Sequence, residues 1–190
     1  MRHRVCVALI TAMGFGSLVS AETPAELREP TETAKQKMKV LAGYIGDWRV
    51  EMTRKHPDGK TEKVIETSHY EPIYGGTWIK GTTQIVAESH SLRMTLFTGW
   101  DNIEKRYQGY SFSDQGSANQ SIGTWDAESK TVTWKTSMKI PTGETIRFTH
   151  RTTFDGPDQF TNNITVVYPD GHEENVRSVA KRVKKDTERN

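Results

Sequence analysis

Cysteine is nearly absent from this 190-residue chain: one occurs, Cys6, close to the N-terminus. Downstream of it there is no thiol to act as a nucleophile, no thiolate to hold a metal and no pair to form a disulfide. Long apolar runs are also missing. The one candidate, Val5 to Val19, is broken by Thr11, Gly14, Gly16 and Ser17 and falls short of the ~20 residues that a spanning helix needs. Nor does either sign of charge dominate. There are 26 Lys and Arg against 24 Asp and Glu, a formal net charge of +2. Such a balance excludes the broad basic footprint of a nucleic-acid binder. The basic cluster "KRVKKDTER", Lys181 to Arg189, reads as a solvated strand end and tail. His-Glu-x-x-His, phosphate-loop, dinucleotide and nucleophile-elbow patterns are all absent, so the sequence names no cofactor and no catalytic or metal-binding residue.

What is there begins with Arg2, His3 and Arg4 ahead of the interrupted apolar stretch, then small residues at Val19-Ser20-Ala21. This is the order of a secretory signal peptide cut after Ala21. Cys6 lies inside the segment and so cannot become the lipidated first residue of a lipoprotein. The expectation is a secreted or periplasmic protein with no membrane span after cleavage. The organisation that follows is a signal peptide at 1–21, an extended leader at 22–33, one domain at 34–185 and a polar tail at 186–190. Losing Arg2 and Arg4 leaves 24 basic residues against 24 acidic ones.

A short helix is expected first, capped by Thr33, with Met38, Leu41 and Ala42 at helical spacing and Gly43 as its stop. From Trp48 the pattern changes to period two. Segments rich in Thr, Val, Ile and aromatics alternate with turns such as "HPDGK", "EPIYGG", "WDAESK", "IPTGE" and "YPDGH". Strands are predicted near 47–55, 60–70, 76–87, 91–99, 105–112, 117–125, 130–139, 144–154, 158–168 and 172–184. A meander this long leaves two open edges unless it closes on itself. The expected fold is therefore all-β, an antiparallel up-and-down barrel of about eight to ten strands with a short N-terminal helix.

Alternation assigns faces. Leu92, Met94, Leu96 and Thr98 oppose Arg93, Thr95, Phe97 and Gly99, while Ile146, Phe148, His150 and Phe154 oppose Arg147, Thr149 and Arg151. An apolar wall with isolated polar groups suits a small hydrophobic ligand. The candidate binding set is Trp78, Met94, Gln108, Tyr110, Trp134, Phe148, His150, Asn162 and Ile164. Two other readings stand beside a binder: a cyclase- or isomerase-like enzyme in which a buried His or carboxylate moves a proton, and a filled barrel that acts through its surface. His56, His69, His90 and His172 lie scattered at turns and strand ends and do not form a metal pattern. A haem barrel would want a glycine-rich first strand, where "GDWRVEMTRKHPDG" supplies charge and bulk.

The triplet Gly46-x-Trp48, after a short helix and at the start of the first strand, resembles the first signature of lipocalin and calycin barrels. The resemblance implies that Trp48 closes one barrel end under an arginine from the last strand, for which Arg177 and Arg182 are the available positions. More of the chain resembles the bacterial DUF1579 proteins, whose function is not known and whose fold is thought to be lipocalin-like. The resemblance rests on "LAGYIGDW", "YGGTWIKG", "FTGWDNIEKRYQGYSFSDQG", "GTWDAESKTVTW" and a final strand after a Pro-Asp-Gly turn. It implies the fold, and carries over no catalytic residue.

Overall fold

The computed structural model describes residues 32–55, 61–88, 90–140 and 142–184. The expected signal peptide, most of the leader, the "HPDGK" turn and the tail lie outside the described residues. A short helix, α1 (Glu32–Met38), runs into a 3-10 turn at Lys39–Tyr44. Ten strands follow: β1 (Gly46–Lys55), β2 (Thr61–Ile73), β3 (Trp78–Ala87), β4 (Ser91–Asp101), β5 (Arg106–Ser113), β6 (Ala118–Asp126), β7 (Thr131–Lys139), β8 (Thr145–Phe154), β9 (Gln159–Val167) and β10 (Glu173–Arg182). Each pairs antiparallel with its neighbours in sequence, and β10 returns to β1 to close the barrel. The fold is the expected all-β, lipocalin-like up-and-down barrel, with ten strands and a short N-terminal helix.

Two local expectations differ. The helix begins at Glu32, so Thr33 lies inside it instead of capping it, and Ala42 faces solvent because the last turns tighten to 3-10 geometry. Strand β2 continues to Ile73, with Pro72 opposite Ile79, which confines the "EPIYGG" turn to Tyr74–Gly76. A proline is tolerated there because the strand is about to end.

The seam between first and last strands is short. Trp48, Arg49 and Val50 pair with Arg182, Lys181 and Ala180, whereas β1 pairs with β2 over its whole length, from Gly46 opposite Tyr70 to Lys55 opposite Thr61. Toward the far end, β1 and β10 are no longer laddered.

The core sits at the end where the chain enters. Met38, Leu41 and Tyr44 fold over that opening and meet Trp48, Val50, Ile79, Tyr107, Val132, Trp134, Phe160 and Ala180. Leu41 is wholly buried (0 % exposed), and Tyr107 donates its hydroxyl proton to the carbonyl of Lys37 at 2.8 Å, fastening the helix to β5. The helix and 3-10 turn form a stopper whose apolar side is fitted to one barrel mouth.

Trp48 lies at the centre of this closure. It is 2 % exposed, its indole N–H donates to the Tyr44 carbonyl at 2.6 Å, and its ring centre is 4.5 Å from that of Phe160. The Arg182 guanidinium lies 4.3 Å over its face. Arg182 is itself held by the carbonyls of Ile45 (2.7 Å) and Pro157 (2.8 Å) and by Asp158 (3.3 Å). Gly46 is required beside it, because its φ of +122° disfavours a side chain and a Cβ would strike the guanidinium. Arg177 takes no part: it is exposed, opposite Asn163 on the outer face of β10.

Candidate functional site

Pairing register fixes which side chains enter the barrel. Trp48, Ser68, Thr83, Met94 and Ser113 stand in one cross-strand row, so every second residue from each faces inward. On the other side of the barrel, Trp134, His150 and Ile164 form a second inward row. Near the stopper these inward side chains are buried. Further along the burial is uneven: Glu62, Val64 and Val166 are buried, whereas Leu92, Met94, Leu96, Ile146, Phe148 and Ile164 face inward yet keep partial exposure, as do mid-strand Ser121, Thr136 and His150. For an inward residue of a closed barrel, that exposure is to the lumen. The described interior is thus a cup, floored by the Trp48 and Tyr44 closure, with part of its wall left uncovered by other described side chains.

Six of the nine residues expected to bind, Met94, Trp134, Phe148, His150, Asn162 and Ile164, face into this cup or its floor. Three do not. Trp78 stands opposite Gly99 and lies across it on the outside, with its ring 6.1 Å from that of Tyr110. Tyr110 is likewise outward, opposite Phe97 and Gln120. Gln108, though only 4 % exposed, is buried on the outer face by its amide bond to Asp101 (2.6 Å) and by donors from Tyr110 (2.7 Å) and Gln120 (2.8 Å). Strand β5 places its small or polar residues Gly109, Ser111 and Ser113 inside and its bulkier Tyr110 and Phe112 outside, which inverts a reading based on size and hydrophobicity.

Two polar groups line the floor, and the sequence reading found only one of them. The first descends from β8 and β9. Thr152 donates to Asn162 Oδ1 at 2.9 Å, and its oxygen lies 3.3 Å from His150 Nε2. With the hydroxyl proton of Thr152 given to Asn162, a neutral imidazole protonated at Nε2 completes this contact as the donor. Burial holds the imidazole below its ordinary range, opposed by its hydrogen bond to Asn162. The second group sits on β2 and β3. Ser68 donates to Glu66 at 3.0 Å and lies 3.0 Å from the Thr83 hydroxyl, with Tyr70 bonded to both hydroxyls. Burial raises the Glu66 carboxyl above its usual range, and the bond from Ser68 opposes this only partly.

Two tyrosines bridge these groups. Tyr44 and Tyr70 are 5.6 Å apart between ring centres, and Trp134 donates to the Tyr44 oxygen at 3.4 Å. Burial pushes the Tyr44 hydroxyl up to about 12, against the hydrogen bonds of Thr152 and Trp134, so it is a neutral donor at any physiological pH. The Tyr70 hydroxyl is also raised, by burial first and then by the charges of Glu66 and Tyr44.

Outside the barrel, a groove of about 680 Å³ crosses the outer faces of β1 to β5 beside Asp47, His69, Thr95 and Asp114. Its polar groups are satisfied locally: His69 Nδ1 is 2.6 Å from Asp47, and Asp114 accepts from the Arg93 backbone at 3.2 Å. It is a shallow saddle of the twisted sheet, whereas the cup combines enclosure with groups of altered acidity. Among the described residues no cluster of three or more His, Cys, Asp or Glu could hold a metal, and no helix is long and apolar enough to cross a membrane.

Residues 33–182 match the DUF1579 family, described as "Protein of unknown function (DUF1579)". The chain belongs to the DUF1579 family. No curated protein matches the sequence of this DUF1579 chain. Among solved structures it is similar to Rv2717c from M. tuberculosis, at 13 % identity and a TM-score of 0.58 over 82 % of this chain and 100 % of that one. It is similar also to the S-type phycobiliprotein lyase CPES from Guillardia theta, at 11 % identity and a TM-score of 0.49 over 85 % and 98 % of the two chains. A third is EF1p2_mFAP2b bound to DFHBI, at 14 % identity and a TM-score of 0.41 over 77 % and 98 %. At these identities the likeness of the DUF1579 chain to Rv2717c is one of fold.

Proposed function

We propose that this DUF1579 protein is an exported carrier or sensor that holds a small apolar molecule inside its barrel. One observation carries the reading: Leu92, Met94, Leu96, Ile146, Phe148 and Ile164 point inward, yet are not covered by one another. An apolar wall left open to water is unfavourable by about 25 cal/mol per Å² of exposed area, so it gains by receiving an apolar guest. Ten strands favour this, because barrel diameter grows with strand number and about eight already suffice to surround a single small ligand. An enzyme of the cyclase or isomerase kind would want a carboxylate beside the imidazole, whereas the partners of His150 are Thr152 and Asn162.

The test uses N-phenyl-1-naphthylamine, a neutral probe that brightens in apolar surroundings. Saturable binding to the purified protein, lost when Leu96→Trp fills the cup, supports the carrier; no binding, or binding untouched by that change, overturns it. Export is tested separately by N-terminal sequencing of the mature protein, with Glu22 expected as its first residue.

A further inference from the structure

Glu66 occupies an unusual place for a carboxylate. It stands on the inward face of β2, opposite Val50 on one neighbouring strand and Ile85 on the other. One oxygen accepts from Ser68. Among the described residues the other has no donor, and the only buried side-chain polar atoms without a partner are Trp100 Nε1 and Arg106 Nε. The second Glu66 oxygen therefore reaches the lumen.

Among the described residues no Lys, Arg or His forms an ion pair with Glu66, whose hydrogen-bond partner is Ser68. Two basic residues stand in the inward rows: Arg54, in register with Glu62 and four residues along β1 from Val50, the partner of Glu66, and Arg182, which lies beneath the floor, committed to Trp48, two carbonyls and Asp158. Glu62 on β2 and Glu174 on β10 also stand in the inward rows, each with partners of its own, the latter receiving the Tyr168 hydroxyl at 2.9 Å. Across the barrel, His150 faces inward from β8, beside Trp134 and Ile164. Strands β2 and β8 are well separated around the closed sheet, so Glu66 and His150 stand on different sides of it.

We propose that the cup selects apolar molecules bearing an amine, with the ammonium seated on Glu66 and the apolar body against Leu92, Met94, Leu96, Phe148 and Ile164. This rests on the carrier reading and narrows it. An enclosed carboxylate lacking a cation is costly, and a guest ammonium relieves that cost through a charge-assisted hydrogen bond. A guest carboxylate does the opposite: it brings a like charge to Glu66. The raised acidity range of Glu66 is that of a carboxylate waiting for such a partner.

Competition against N-phenyl-1-naphthylamine at neutral pH, with dodecylamine, dodecanol and dodecanoate, tests this on the intact protein. Dodecylamine is expected to displace the probe at a concentration at least about tenfold lower than dodecanoate. Glu66→Gln, which keeps the shape and can still accept from Ser68, should lose that preference, read as the ratio of the dodecylamine and dodecanoate concentrations that displace half of whatever probe it binds. Glu174→Gln should retain it. Equal or tighter binding of dodecanoate, a preference that survives Glu66→Gln, or an equal loss in Glu174→Gln overturns the assignment. If the probe itself fails to bind the unaltered protein, the carrier reading falls and this proposal with it.

Discussion

At the scale of single residues, Trp48 and Glu66 show what kinds of role a sequence discloses. Trp48→Ala should cost about 3–5 kcal/mol of stability, since it empties the barrel floor and strands the Arg182 guanidinium; urea unfolding measures it, and a wild-type midpoint would contradict the closure role. Arg182→Ala should cost less, about 0.5–2 kcal/mol for the cation–π contact plus its hydrogen bonds. The tryptophan was legible because a glycine two residues before it and a helix upstream are local marks. Glu66 was not, because in "EKVIETSHY" it looks like the polar partner of an alternating strand, and only the pairing with Val50 and Ile85 turns it inward. His150 gives a pH signature. Its imidazole is held below the ordinary value of 6.5, so the unfolded chain takes up the proton first. Its contribution to stability is thus complete above about 6.5 and fades as pH falls through the depressed native value. Glu66 runs oppositely: its raised carboxyl contributes below the ordinary 4.5 and loses that contribution as pH rises through the native value. Thermal scans of His150→Gln between pH 7 and 5 should show a flatter decline than the unaltered protein.

At the scale of elements, the stopper and the strand faces separate fastening from binding. Leu41→Ala should cost about 2–5 kcal/mol, and Tyr107→Phe, which removes only the bond to the Lys37 carbonyl, about 1 kcal/mol. Chemical denaturation ranks the two, and a larger loss in Tyr107→Phe would mean that the helix is held chiefly by that bond. Trp78→Ala and Tyr110→Ala should leave probe binding within about twofold, because both rings lie on the outer face; a tenfold loss would place them in the lumen after all. Strand positions were legible to within a few residues, since turn residues punctuate them. Facing was legible where an apolar set opposes a charged one, as in β4 and β8, and failed in β5, where beyond the buried Tyr107 a glycine and serines line the inside and Tyr110 and Phe112 the outside.

At the scale of the whole molecule, closure and capacity come from one property, the run of ten strands each laddered to its sequence neighbour. The sequence shows this directly through its succession of hairpin turns, but lumen width is set by strand number and tilt together, which no single segment records. Widening also loosens the far end from the core, so cup residues can change with little loss of stability. Phe148→Ala is expected to cost less than the 3–5 kcal/mol typical of a fully buried phenylalanine, while weakening probe binding, as paired unfolding and titration experiments would show.

The seam adds a dynamic consequence. Beyond Val50 and Ala180 the first and last strands run on without laddering each other, so peptide groups of Glu51–Lys55 and Glu173–Val179 that face the gap lack a cross-strand partner there. Local opening needs few bonds to break at such a place. In hydrogen–deuterium exchange these amides should trade first among the strands, well before those between β3 and β4, whose pairing runs from Trp78–Gly99 to Val86–Ser91. A guest could then leave sideways, through a slit that parts while the hairpins stay folded, and its release rate would follow the breathing of the seam instead of the global unfolding of the barrel.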